Sequence, residues 1–169
     1  MPANVTLEPW GSGDLPLLER LLGDPGMTEH LGGPESPEKL RERQGKYERA
    51  EQGDRMFKIV DAGSGEGVGS VGFWTKDGRD TQVYEVGWMV VPEFQGRGIA
   101  AEATAQLIEL ARRDGKFRFV HAFPNVENAP SNAICRKLGF ELLEAREFEY
   151  PEGHWMTCND WCLDLGAPS

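Results

Sequence analysis

The chain has 169 residues, enough for one domain that buries roughly 70% of its unfolded surface. Hydrophobic residues make up 39% and charged residues 27%, which is typical of a globular protein and excludes a disordered one. Eighteen basic against 28 acidic residues give a net charge of −10, which argues against binding nucleic acid through its phosphates. Any anionic ligand must therefore bind at a local site.

Targeting and membrane signals are not evident in the sequence. No apolar run approaches the ~20 residues that cross a bilayer, and residues 1–10 do not have the basic and apolar regions of a signal peptide. We therefore expect a cytoplasmic protein that does not act at a membrane. The odd number of cysteines without CxxC spacing indicates reduced thiols.

The first third of the chain predicts one strand and two helices. Alternating apolar and polar residues predict a strand over 4–10, and leucines at helical spacing predict a helix over 15–22. A Ser-Pro start and mixed charges predict a second helix from 36 to about 52. The segment 27–34 between the helices is expected to be an exposed loop.

Three strand-like runs follow, at 55–60, 67–75 and 83–91, and a Gly-Ser-Gly turn between the first two favours an antiparallel hairpin. A long amphipathic helix is predicted from residue 98 onward. The remaining elements are a strand over 117–123, a short helix capped by Asn128 or Ser131 and ended by Gly139, and strands over 141–150 and 155–165. This order predicts one α/β (α+β) domain over 1–169, with one mixed sheet of about seven strands and helices on its faces.

The segment from Val90 to Ala101 is the most informative part of the sequence. A buried strand ends there, a glycine-rich turn follows, and a helix begins. Small residues let backbone N–H groups approach a phosphate, and a helix N-terminus carries about half a positive charge. The pattern indicates an anion-binding cradle, with a plain strand-to-helix turn as the alternative.

Two better-known phosphate motifs do not fit this segment. A P-loop needs Gly-Lys-Ser/Thr, which the segment lacks. The letters GRGIAA match G-x-G-x-x-A, but a nicotinamide site also needs an acidic residue about 20 positions later, and 116–123 contains none. The dinucleotide interpretation is therefore rejected.

Two motifs resemble the GNAT superfamily of acetyl-CoA-dependent N-acetyltransferases, over nearly the whole chain. QGRGIA, from Gln95 to Ala100, resembles the family pattern Q/R-x-x-G-x-G/A at the start of the long helix. ENAPSNAICRKLGF, over 127–140, is similar to a second family block that ends in K-L-G-F. The serine form of that block looks most like the branch containing the Rim-type ribosomal-protein acetyltransferases.

This resemblance implies a mostly antiparallel sheet whose central strands, 83–91 and 117–123, splay apart to admit the pantetheine arm of acetyl-CoA. Backbone groups of Met89, Val90 and Val91 would pair with that arm. Asn128 would contact the cofactor beyond the slot, although Asn at a helix start is otherwise a cap. The amides that would hold the pyrophosphate belong to Gln95, Gly96, Arg97, Gly98, Ile99, Ala100 and Ala101.

The resemblance also suggests catalytic groups. Glu85 is the expected base, because this strand often carries the carboxylate in the family; the alternative is an exposed or salt-bridged glutamate. Cys135 occupies the position of the tyrosine that many relatives use as the acid, whereas the serine branch suggests Ser131, which we rank first. Cys135 is equally explained as a small core residue. Phe123 stands where some relatives have another glutamate.

The function implied is acetyl transfer from acetyl-CoA to a primary amine of a small molecule or a protein N-terminus. The alternative is a CoA-binding module without catalysis. The acceptor would be selected by the loops 27–34 and 150–155, and homodimerisation, common in relatives, is possible. No metal is expected, because four-residue steps between His154, Cys158 and Cys162 in a strand span roughly 13 Å each, too far for one ion.

Overall fold

The strands and helices follow one another along the chain in the predicted order. The computed structural model describes residues 3–49 and 54–166. The elements are β1 (Val5–Pro9), α1 (Leu15–Leu22), α2 (Pro37–Arg49), β2 (Arg55–Asp61), β3 (Glu66–Asp77), β4 (Gln82–Val90), α3 (Ile99–Asp114), β5 (Phe119–Ala122), α4 (Ala129–Lys137), β6 (Glu141–Glu149) and β7 (Trp155–Asp164). The predicted α/β fold with a seven-stranded sheet is confirmed.

All the strands lie in one sheet, in the order β1-β2-β3-β4-β5-β7-β6. Neighbouring strands are antiparallel, except that β4 and β5 run parallel. The predicted hairpin is formed by β2 and β3. The parallel pair follows from the long connection through α3, since parallel neighbours need a crossover.

The two central strands, β4 and β5, diverge after a short paired stretch. β4 and β5 pair only at Tyr84 with Val120 and at Glu85 with His121, while β4 continues to Val90. Here the gap between β4 and β5 beyond Glu85 is called the slot. The predicted splaying of the central strands is therefore present, and it begins at Glu85.

Helices lie on both faces of the sheet. The hydroxyl of Tyr84 donates to Asp114 at the end of α3, so α3 covers the face to which Tyr84 points. Lys58 Nζ lies 3.0 Å from Asp14, which precedes α1. Lys58 is opposite Ser70 in the sheet, and Ser70 is opposite Met89 of β4, so these side chains lie on the same face. Glu85 lies on that face too, because side chains of a strand alternate and Met89 and Glu85 are four residues apart. The helix α1 therefore begins on the face opposite to α3. We call these the α3 face and the α1 face.

The core is filled by the apolar stripes that the sequence predicts. All four buried residues of α1 are leucines, and Leu18 and Leu21 are fully buried. Leu107 and Ala111 of α3 are also fully buried. In the part of the chain that the structure describes, no helix is both long and apolar enough to cross a bilayer.

Element ends differ from prediction in places. β3 is longer than the predicted 67–75, and β5 is shorter than the predicted 117–123 because pairing with β7 defines its length. A single turn of 3-10 helix at Pro92–Phe94 was not predicted. The predicted end of the second helix, 50–52, lies outside the described residues.

Candidate active site

The turn before α3 forms an open cradle of backbone amides. Gly96 and Gly98 have φ angles of +76° and +79°, which a residue with a Cβ rarely adopts. A Cβ added to either would meet no atom within 4 Å, so the space beside both is open. Gly98 is the N-cap residue of α3, and it has no side chain that could bond the first N–H groups of the helix. The first N–H groups of α3 are thus available to an anion.

Side chains around the cradle hold the turn rather than fill it. Gln95 Nε2 donates to the carbonyl of Val90 at 2.9 Å. Arg97 packs over the Phe94 ring, 4.7 Å from its centroid, and donates to the carbonyl of Glu93 at 3.0 Å. Arg97 is exposed, so its charge lies at the rim of the cradle.

The backbone of β4 alternates between its two neighbours. Val91 N–H donates to the Val68 carbonyl at 2.9 Å, which places the polar groups of Val91 toward β3. In an antiparallel ladder those of Met89 face the same way, and those of Trp88 and Val90 face the slot. The backbone of Val91 therefore bonds to β3 and is not available to a ligand in the slot. The backbone of Trp88, which was not predicted from the sequence to bind the cofactor, faces the slot.

Helix α4 brings Ser131 to the slot from the α3 face. Asn128 caps this helix, since its side chain accepts a hydrogen bond from Ser131 N–H at 3.2 Å. The indole N–H of Trp88 donates to Ser131 Oγ at 3.3 Å. Of the two caps left open by the sequence, Asn128 is therefore the actual one, and Ser131 Oγ touches a strand that lines the slot.

Cys135 lies in the core. Its side chain is fully buried, and burial raises the pKa of its thiol to about 12. A thiol with that pKa is protonated at neutral pH and packs as a small apolar group. The geometry thus favours Ser131 over Cys135 as the polar group near the slot.

Asn132, the residue after Ser131 in α4, was not predicted from the sequence to have a role in the site. Asn132 is buried, and its Nδ2 donates to the carbonyls of Asn125 and Asn128. Its Oδ1 accepts from Asn159 at 2.9 Å and from the indole of Trp161 at 2.8 Å. Asn132 therefore fixes α4 against β7. A polar residue on the buried side of a helix is the only signal for it in the sequence.

Glu85 lies on the α1 face where the slot begins. Its side chain is 22% exposed, and its Oε1 lies 3.3 Å from Lys76 Nζ. Burial raises the pKa of the carboxyl group, and the nearby Lys76 and His121 oppose that effect. Glu85 thus sits on a central strand in an ion pair, which corresponds to the salt-bridged alternative but leaves it beside the slot.

A second polar pair lies next to Glu85 on the same face. His121 is the β5 partner of Glu85, and its Nδ1 lies 2.6 Å from Asp160 Oδ1. The hydrogen bond to Asp160 raises the pKa of His121 to about 9, so the ring is charged at neutral pH. Arg146 Nη1 lies 3.6 Å from the other oxygen of Asp160. No local sequence pattern indicates this pair, because its members are 39 residues apart.

The two loops expected to select the acceptor contact each other. Gly32 has a φ of +86°, and an added Cβ would lie 2.5 Å from Pro151 Cδ. Both loops line a cavity of about 250 Å³ together with Glu35. Arg43 of α2 binds Glu35 and also donates to the Tyr150 hydroxyl at 3.1 Å. The cavity is therefore lined by residues of both loops and by the charged residues Glu35 and Lys39.

Metal coordination finds no support in the arrangement of the side chains. Over 3–49 and 54–166, no three or more His, Cys, Asp and Glu side chains are grouped so that they could hold a metal ion. Cys158 is buried and Cys162 is half-buried, both on β7.

Comparison with known proteins bears on this geometry. A family model described as an acetyltransferase (GNAT) domain matches residues 4–141. This chain belongs to the GNAT family. An uncharacterized N-acetyltransferase of Bacillus subtilis, YnaD, is 31% identical to this GNAT domain over 98 residues, which are 56% of the chain and 51% of YnaD. The match therefore spans about half the length of that curated relative.

Solved structures share the fold of this GNAT domain over most of their length. A spermidine N-acetyltransferase of Vibrio cholerae, in complex with CoA and spermine, has a TM-score of 0.80 at 17% identity, with 95% of each chain covered. An acetyltransferase of Salmonella typhimurium that modifies the N-terminal serine of ribosomal protein L7/L12 has a TM-score of 0.78 at 22% identity, with 96% of this chain and 95% of that chain covered. The family resemblance seen in the sequence is confirmed, and Rim-type enzymes are among the structural neighbours.

Proposed function

We propose that the chain transfers the acetyl group of acetyl-CoA to a primary amine of a small molecule or a protein N-terminus, by direct attack of the amine on the thioester. The slot carries this proposal, because it begins beside Glu85 and leads to an open cradle of amides at the start of α3. A long ligand with a reactive end and an anionic end suits such a path. Relatives with amine acceptors, a spermidine acetyltransferase and a ribosomal-protein acetyltransferase, support the choice of acceptor.

The cradle fits the pyrophosphate of acetyl-CoA. Amides of 96–101 would bind it, since the N–H of Gln95 already donates to the Pro92 carbonyl at 3.2 Å. Arg97 lies at the rim as the one cation of 95–101. Backbone groups of Val90 and Trp88 would pair with the pantetheine arm, in place of Met89 and Val91, which face β3. Asn128 would contact the cofactor beyond the slot. Bound acetyl-CoA would supply the acetyl group as an activated thioester.

The two proposed catalytic side chains would act from opposite faces of the sheet. Glu85 lies on the α1 face and would take a proton from the acceptor ammonium, which must be neutral before it attacks. Ser131 reaches the slot from the α3 face and would donate a hydrogen bond to the departing sulfur. Because the strands diverge between them, a thioester in the slot is accessible from both sides.

The test measures binding and turnover separately. Acetyl-CoA binding is followed by calorimetry and by the rise in melting temperature, and turnover is followed by thiol release with a panel of polyamines, small primary amines and peptides with free N-termini. We expect saturable binding and turnover with at least one acceptor class. Binding without turnover of any amine would favour the alternative, a non-catalytic CoA-binding module. Absence of binding would refute both.

The domain extent and the location remain predictions. We propose that 1–169 form one acetyltransferase domain, since the family model matches most of the chain, and that it works in the cytoplasm.

A further inference from the structure

Lys76 extends across the sheet to the start of the slot. It belongs to β3, where its Cα is opposite Val83 of β4. Its Nζ nevertheless lies 4.8 Å from the ring centroid of Phe123, a residue that directly follows β5. The side chain therefore crosses β4 and places its ammonium group over the boundary between β4 and β5, where their pairing ends.

The ammonium group is surrounded by groups that recognise protonated amines. Glu85 Oε1 lies 3.3 Å from Nζ, and the ring centroids of Phe123 and Phe148 lie at 4.8 and 5.5 Å. A carboxylate and the faces of aromatic rings both attract an alkylammonium ion. We call these three residues, Glu85, Phe123 and Phe148, the ammonium cage.

The cage is also where an acceptor amine must stand. A general base has to lie within hydrogen-bond reach of the proton that it removes, so an acceptor deprotonated by Glu85 needs its nitrogen beside that carboxylate. Lys76 Nζ already occupies this position and is itself a primary amine. Its side chain is 33% exposed, so it is neither locked in the core nor free in solvent.

We propose that Lys76 is a self-acetylation site, modified within its own chain by the acetyltransferase centre. The proposal rests on the proposed function. Lys76 Nζ gives up one proton to Glu85, attacks the thioester carbon, and loses a second proton as the C–S bond breaks. The sulfur leaves with the bonding electron pair and takes a proton, so the products are N-acetyl-lysine, CoA thiol and one net proton.

Acetylation changes the cage as well as Lys76. It removes the positive charge that partners Glu85 and leaves His121 as the remaining cation whose charge acts on that carboxyl group. An acetylated Lys76 no longer competes with an external ammonium group for Glu85. The modification therefore leaves Glu85 without its internal ammonium partner.

The first experiment incubates the purified full chain with deuterated acetyl-CoA without acceptor and locates acetyl-lysine by mass spectrometry. We expect Lys76 to be acetylated at least about tenfold faster than the exposed Lys46 and Lys137, because a held nucleophile has a high effective concentration. The rate constant should not depend on protein concentration. A rate equal to that of Lys46 and Lys137, or one that rises with protein concentration, would overturn the proposal.

Variants separate the enzymatic reaction from background chemistry. Lys76→Arg keeps the positive charge but should incorporate no acetyl group at this position, and the slow labelling of Lys46 and Lys137 should be unchanged. Glu85→Gln should slow labelling of Lys76 and leave Lys137 as it is. Equal labelling of Lys76 in Glu85→Gln and the unaltered chain would show that the centre is not involved.

A second measurement needs no acetyl-CoA. The carboxyl group of Glu85 is titrated by NMR in the unaltered chain, in Lys76→Arg and in Lys76→Gln. Loss of the cation should raise the pKa of Glu85 in Lys76→Gln and leave it nearly unchanged in Lys76→Arg, with His121 and Cys158 present in all three. Identical titrations in all three would show that Lys76 is not at Glu85 in solution.

The outcomes distinguish this inference from the function on which it rests. Turnover of external amines, with Lys76 labelled no faster than Lys137, refutes self-acetylation and leaves the proposed function standing. Absence of acetyl-CoA binding refutes both.

Discussion

The two sides of the slot are built in different ways. At the α3 end, the cradle consists of backbone amides within one short segment, made accessible by Gly96 and Gly98. On the α1 face, the polar cluster consists of side chains from five different strands: Lys76, Glu85, His121, Asp160 and Arg146. One site depends on backbone conformation, and the other depends on strand register.

This difference determines how each side tolerates change. A backbone site is lost when a side chain intrudes, whatever its chemistry, because the ligand needs the space and the N–H groups. A side-chain cluster is altered one charge at a time, and its remaining members readjust their pKa values. Substitutions on the two sides should therefore affect binding and catalysis separately.

The largest effect is expected at the cradle. Gly98→Glu should abolish acetyl-CoA binding, because a carboxylate would fill the open space and repel phosphate. The matched control is Gly115→Glu at the other end of α3, where φ is +69° and the backbone strain is similar. Calorimetry should show binding by the control only, with circular dichroism unchanged in both. Undiminished affinity in a folded Gly98→Glu protein would remove the basis for the cradle.

On the α1 face, Glu85→Gln should lower turnover by ~10²–10⁴-fold, the usual contribution of a general base, with acetyl-CoA affinity little changed. Since burial raises the pKa of Glu85, activity of the unaltered chain should fall as the pH drops through that pKa, and the variant should lose this dependence. Steady-state kinetics from about pH 4 to about pH 9 provide the test. Native turnover throughout would place the base elsewhere or assign its role to water.

On α4, which reaches the slot from the α3 face, the roles of Ser131 and Cys135 can be tested separately. Ser131→Ala should slow acetyl transfer by up to ~10²-fold without loss of stability. Cys135→Ala should instead leave a small cavity that costs ~1 kcal/mol and lowers the melting temperature by about 2–4 °C. Kinetics and thermal melts on both variants decide; the reverse pattern would assign the acid to Cys135.

The smallest effect concerns His121 and depends on pH. The pKa of His121 is raised to about 9 in the folded chain from an ordinary 6.5, so folding favours the protonated ring. Its contribution to stability is fully present below about pH 6.5 and is lost as the pH rises through about 9. The melting temperatures of the unaltered chain and of His121→Gln should therefore converge over this range. Cys162→Ser serves as the control for the neighbouring thiol, and a constant difference would contradict the prediction.

The sequence was sufficient for the parts of the molecule that depend on local patterns. Strand alternation, the leucines of α1 and the glycines before α3 each predicted the element that is present. The family motifs added the divergence of β4 and β5, which local patterns could not have shown. Element ends were less predictable, because β5 ends where its pairing with β7 ends and not where its apolar run does.

The side-chain contacts across the sheet could not be predicted in this way. Lys76 reaches Glu85 only because β3 and β4 pair in one particular register. His121 contacts Asp160, which lies 39 positions later in the chain. A shift of one residue would turn either side chain to the other face. Asn132 was overlooked for a related reason, since two of its four hydrogen-bond partners, Asn159 and Trp161, lie on the distant strand β7.

The contact between Gly32 and Pro151 has a consequence for the redesign of the two loops, which we propose select the acceptor. The proline ring occupies the volume that any other residue at position 32 would need, and Arg43 joins α2 to Tyr150 beside it. A loop transplanted from a relative into one side only would meet a surface shaped for its former neighbour. The two loops form a single exchangeable unit, and specificity should be transferred by moving both together.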